Sequence, residues 1–195
     1  MGFQEAGPGG QDAESLRSFT RKLLADLRAL DTMLESGAIE SGVRRIGAEQ
    51  ELFLVDRDYR PAPIAIEMLE KLEADGHFTT EVARFNLEFT TDPILFGGDC
   101  LRRMEQQMVE LLAKARHAAH QLEAEVVMIG ILPTIDISDL TLDNMTPVPR
   151  YFALNDATRR LRGKDWQFYI KGADELLIHH DSVMVEACNT SFQAH

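Results

Sequence analysis

An apolar run of strand length, Arg45 to Asp56, lies in RRIGAEQELFLVD and carries two glutamates two residues apart. Side chains on a strand alternate faces, so Gly47, Glu49, Glu51 and Phe53 point one way and Ala48, Gln50, Leu52 and Leu54 the other. The segment RFNLEFTTDP repeats the pattern: Phe85, Leu87 and Phe89 form an apolar face, and Asn86, Glu88 and Thr90 a polar one. Two such strands call for a sheet with one side packed and the other free to carry acids.

The rest of the chain supplies that packing. Residues 1–13 hold four glycines and a proline with little apolar content beyond Phe3, and read as a flexible leader. From about Ser15, the apolar residues Leu16, Phe19, Leu23, Leu24, Leu27, Leu30 and Leu34 recur at helical spacing up to Gly37. Helical period returns from Ile64 to Ala74. His77 to Ala83 and Arg84 to Thr91 read as strands, closed by Asp92-Pro93 and Gly97-Gly98. Asp99 is placed to cap a long helix to about Glu123, with Leu101, Met104, Met108, Leu111, Leu112, Ala115 and Ala119 as its buried stripe. Val126 to Leu132 reads as a buried strand, residues 133–149 as a long loop, and Arg150 to Arg162 as a helix. Trp166 to Lys171, Glu175 to His180 and Val183 to His195 read as strands. Helices mixed with neighbouring strands predict an α+β domain with an antiparallel or mixed sheet and helices on one face.

Charge and composition exclude several roles. The 195 residues are 45% hydrophobic and carry a net charge of −12, from 32 acidic against 20 basic residues. That field repels a phosphate backbone and an anionic membrane surface, so neither nucleic acid nor membrane is an expected partner. No run approaches the roughly 18 apolar residues of a membrane span, and the start lacks a signal peptide's basic and apolar regions. A cytoplasmic location is the expectation. Cys100 and Cys188 are too few for a disulfide scaffold and read as buried free thiols.

The acids suggest metal chemistry. Glu49 and Glu51 share a face with α-carbons about 6 to 7 Å apart, and Glu88 joins them if the two strands are neighbours. Three carboxylates on a polar sheet face suit a hard cation, magnesium or manganese, which prefers oxygen ligands and keeps water or phosphate in its shell. Glutamates on an open face are more often simply solvated. In ACNTSFQAH, Ser191, Gln193 and His195 face one way, and an imidazole beside an amide offers further polar contacts. Arg84 and Lys171 are weaker phosphate candidates. His179 and His180 lie on opposite strand faces, and Thr134 after Pro133 reads as part of a turn.

Taken in order, GAEQELFLVD, RFNLEFTTDP, the turn in GILPT, NMTPVPRYFALN and ACNTSFQAH resemble the glutamate-cysteine ligase family of the plant and proteobacterial type. That family is related to carboxylate-amine ligases and, more distantly, to glutamine synthetase. The resemblance runs from about Arg44 to His195. It implies a glutamine synthetase-like, curved antiparallel sheet whose concave polar face binds ATP, metal and glutamate. It also implies a reaction in which ATP phosphorylates the glutamate side-chain carboxylate and the amine of cysteine displaces the phosphate, a step of glutathione biosynthesis. By motif, Glu49 and Glu51 match the paired metal-binding acids of the first strand, Glu88 matches the acid of the next strand, which binds metal or substrate, and Gln193 and His195 fall on a strand near metal and nucleotide. Arg150, in PRYFAL, matches a catalytic arginine at substrate carboxylate or phosphate, which a guanidinium grips with two parallel hydrogen bonds. An exposed residue at a helix start is the plainer reading of Arg150.

Family catalytic domains are longer than this chain. The expectation is therefore that residues 14–195 are the N-terminal part of such a domain, truncated within its sheet and giving little turnover alone. Three other activities fit the residues: a carboxylate-amine ligase with another acceptor amine, a noncatalytic nucleotide- or metal-binding module, and a metal-dependent hydrolase.

Overall fold

In the computed structural model, residues 13–72 and 75–195 are described. The leader read over 1–13 lies outside them except for Ala13, which opens a helix. The elements run α1 (Ala13–Glu35), β1 (Arg45–Ile46), β2 (Ala48–Val55), α2 (Ala65–Lys71), β3 (Phe78–Thr80), β4 (Asn86–Thr90), β5 (Ile94–Leu95) and α3 (Cys100–Gln121). They continue with β6 (Glu125–Val127), α4 (Pro149–Arg162), β7 (Trp166–Lys171), β8 (Glu175–His180) and β9 (Phe192–Ala194). The result is an α+β arrangement whose strand pairings are all antiparallel.

β2 is the centre of the main sheet. β4 runs along one edge with Glu51 opposite Glu88 and Phe53 opposite Asn86, and β3 lies outside β4. The other edge is shared: β9 pairs with Ala48 to Gln50, and β6 with Phe53 to Val55. Gly47 extends the β9 ladder by exchanging backbone hydrogen bonds with His195. β1–β5 and β7–β8 form separate two-stranded sheets.

Each face of β2 builds its own core. Leu52 and Leu54, with Leu87 and Phe89 of β4, pack on Met68 of α2 and on Leu111, Ala115, Ala118 and Ala119 of α3. Three alanines on α3 let the helix lie close to the sheet. On the opposite face, Phe53 and Val55 pack with Phe85 from the turn before β4 and with Met145, Tyr151 and Met184, brought by the 131–148 loop, α4 and a 3-10 turn at Val183–Cys188. This second core covers only one end of that face. Glu49, Glu51 and Glu88 occupy the rest, so the acids stand at the border of a buried apolar cluster. Helices α2 and α3 pack on one face as expected, while the other is half covered by irregular chain that the alternation of β2 does not foretell.

Several expected elements are different. Val183 to His195 is not one strand: the Ser182 hydroxyl accepts from the Met184 N–H at 3.3 Å and starts the 3-10 turn, leaving only Phe192–Ala194 to pair. The strand expected over Val126 to Leu132 ends at Val127, after which Gly130 turns its carbonyl to the Thr190 N–H. Phe85 does not share the face of Leu87 and Phe89, because residues 84 and 85 form a turn before β4 and direct its ring into the second core. Gly47 interrupts the first strand between β1 and β2. Asp99 precedes α3 without a side-chain cap bond, and Leu101 is exposed, not buried. Both cysteines are free, Cys100 buried and Cys188 half-buried.

Candidate metal centre

Three elements bring carboxylates together. Glu51 of β2 faces Glu88 of β4 across the ladder, and Thr79 of β3 stands opposite Glu88. Residues of like parity share a face, so Glu81, just past β3, returns to the side of Glu88. Glu51, Glu81 and Glu88 each offer a carboxylate oxygen within 4.8 Å of the other two. Thr146, itself buried, holds this bend by donating its hydroxyl to the Glu81 carbonyl at 2.6 Å.

Packing acids this closely raises the cost of ionising them. Burial, then the charges of Glu88, Glu51 and Glu186, push the Glu81 carboxyl up to about 8. Glu88 is also raised, first by burial and then by Glu49 and Glu51, although a hydrogen bond with Glu81 opposes the shift. Burial followed by the charge of Glu51 raises Glu186 in the 3-10 turn. Around neutral pH, Glu81 therefore carries a proton and shares it with Glu88.

Ser191, just before β9, and Gln193 within it orient one of the acids. The Ser191 N–H donates to Glu51 Oε2 at 2.8 Å, its hydroxyl to Oε1 at 3.0 Å, and Gln193 Nε2 to Oε1 at 3.3 Å. Three donors hold the carboxylate in one rotamer while it still meets Glu81 and Glu88. One strand position along, His195 Nε2 lies 3.2 Å from Glu49 Oε2. Glu49 is thus on the same face but is paired with His195, outside the three-acid cluster.

Arg150 opens α4 beside the same region. Its Nη2 donates to the Tyr151 hydroxyl at 2.6 Å and its guanidinium lies 4.7 Å from that ring's centroid. Tyr151 in turn donates to the Thr80 carbonyl at 2.8 Å, which ties the helix start to the residue before Glu81. Lys171 is elsewhere, paired with Glu175 at 3.2 Å across the β7–β8 hairpin. Arg84 turns to Glu67 at 3.9 Å.

The donor set fits a divalent cation. Carboxylates that repel one another when ionised are reconciled by a hard positive charge among their oxygens. A second observation agrees. Asn86, two residues before Glu88 on the same face of β4, is 2% exposed, and neither its side-chain oxygen nor its nitrogen has a partner among the described residues. A buried amide left without partners is costly, so the site is polar beyond what the chain itself satisfies.

Two of these acids escape a reading of the strands alone. Glu81 carries a usable signal, since Thr79 and Glu81 continue the polar parity of a strand expected over His77 to Ala83. Glu186 carries none, because it is delivered by a 3-10 turn in a segment that reads as strand.

Residues 45–194 match the model of glutamate-cysteine ligase family 2. No curated protein and no solved structure gives a match.

Proposed function

Since the chain belongs to glutamate-cysteine ligase family 2, a family of ligases, we propose that it serves ATP-dependent joining of the glutamate side-chain carboxylate to the amine of cysteine through an acyl-phosphate, within glutathione biosynthesis. The reading extends to a cytoplasmic protein, small-molecule substrates, and a main sheet curved as in glutamine synthetase around its polar face. Residues 14–195 form the N-terminal portion of the catalytic domain in this reading. Among the described residues, no helix is long and apolar enough to cross a membrane.

The observation that carries the proposal is the three-acid cluster at the edge of a buried core. Glu51, Glu81 and Glu88 would hold magnesium or manganese, with Glu49 beside them. A cation bound there supplies charge neutralisation for the oxygens of a transferring phosphoryl group. Ser191 and Gln193 keep Glu51 turned toward the cluster, and the imidazole of His195 pairs with Glu49 beside it. Arg150, stacked on Tyr151, would receive a substrate carboxylate or phosphate with a planar pair of donors. Gln193 and His195, on the strand beside Glu49 and Glu51, line the approach of nucleotide and substrate. The same account expects little turnover from these residues alone, as the N-terminal portion of the catalytic domain.

ADP release with glutamate and cysteine tests the ligase in the complete enzyme containing this chain. ADP formation that requires both amino acids and falls at least tenfold in Glu51→Gln is expected. Equal release by wild type and Glu51→Gln would refute the role of the cluster, and release without any amine would refute the ligase in favour of hydrolysis. Replacing cysteine by other amines fixes the acceptor.

A further inference from the structure

Helix α1 lies before the family-matched residues and presents an apolar stripe that the described fold does not use. Leu16, Phe19, Leu23, Leu27, Leu30 and Leu34 are each 46–59% exposed, and none of the three buried clusters takes a residue from this helix. At 100° per residue the six fall within one narrow sector, the pattern of a helix that packs on another.

The charges beside the stripe are sorted by position. Arg17 and Lys22 flank it in the N-terminal half, and Asp26, Asp31 and Glu35 flank it in the C-terminal half. By the same angular count Glu14 and Arg21 project from the opposite side, and Arg28 lies about 20° beyond Arg17 and Glu35. The helix ends on Glu35 with no basic residue in its last turn, a sign that its own dipole disfavours. A second copy laid antiparallel removes these conflicts. With Leu16 of one helix beside Leu34 of the other, Arg17 comes between Asp31 and Glu35 of the second copy, and Lys22 beside its Asp26. Parallel packing would instead set basic half against basic half and acidic against acidic.

We propose that α1 is a self-association element through which two copies of this chain pair antiparallel, apolar stripe to apolar stripe, with the basic N-terminal half of each against the acidic C-terminal half of the other. A 23-residue helix is about 34 Å long, and two such helices bury roughly 1,000 Å² in all, at the lower end of specific interfaces. Weakening of the dimer with salt follows.

Light scattering coupled to size exclusion, on the full chain in low salt, reads the outcome. The wild type is expected at twice its 21.9 kDa monomer mass. The double variant Arg17→Glu, Lys22→Glu and the triple variant Asp26→Lys, Asp31→Lys, Glu35→Lys are each expected as monomers that retain the wild-type helical circular dichroism. Their equimolar mixture is expected to regain the dimer mass, which also shows that both variants remain folded. A monomeric wild type, with the stripe covered inside one copy, would overturn the proposal. So would a dimer that survives reversal of Arg17 and Lys22, since that pairing would not be antiparallel through α1.

Discussion

Replacing Glu81 by Gln removes one titrating group from the cluster while keeping a side chain of the same length. The wild-type carboxyl is held at about 8 against an ordinary value of 4.5. For an acid raised in this way, the stabilising contribution of the proton is fully present below pH 4.5 and is lost as pH rises toward 8. The reason is that the unfolded chain releases its proton first. At about 1.4 kcal/mol per pH unit, the loss is about 1 kcal/mol at pH 5.5 and about 3 kcal/mol at pH 7. Glu81→Gln has no such proton to hold, so it is expected to gain on the wild type by about 2 kcal/mol between those two pH values. Urea denaturation in chelated buffer measures this, in a series begun above the isoelectric point of about 4.9, where an uncharged chain self-associates. A stability difference that does not change with pH would refute the assignment of the raised carboxyl to Glu81. Saturating magnesium should shrink the difference at pH 7, because the cation replaces the proton among the acids.

Other substitutions probe the supports of the site. Ser191→Ala removes the hydroxyl that donates to Glu51 at 3.0 Å and leaves the backbone donor, so manganese affinity by calorimetry is expected to fall about tenfold with little change in stability. Asn86→Leu replaces a buried amide without partners, and a gain of about 1 kcal/mol in urea denaturation is expected, together with weaker ligand binding. Asp75 and Asp92 raise His77, Asp75 through the larger hydrogen bond, so Asp75→Asn should move the His77 titration seen by NMR toward lower pH; an unmoved His77 would contradict the pairing at 2.6 Å.

What the sequence discloses follows from how local each signal is. The alternation in β2 and β4 places Glu51 and Glu88 on one face before any fold is known, and antiparallel pairing puts them directly opposite one another. Ser191, Gln193 and His195 share a face for the same reason, although their pairing with β2 closes a separation of about 140 residues that no local rule supplies. Phe53 shows the limit. Its parity is that of the acids, yet it is fully buried, because the 131–148 loop and the turn carrying Met184 fold over that end of the sheet. Glu186 arrives on the same irregular segment. Propensity ranks Val183 to Cys188 as strand, and the segment instead forms a 3-10 turn capped by the Ser182 hydroxyl.

The central claim, that Glu51, Glu81 and Glu88 together form a divalent cation site, is tested most directly by titrating the chain with manganese at pH 7 in buffers of different ionisation enthalpy. The account predicts binding that releases about one proton, the one held by Glu81, and that is lost in the Glu51→Gln, Glu88→Gln double variant. Binding without proton release, or binding unchanged in the double variant, would contradict it.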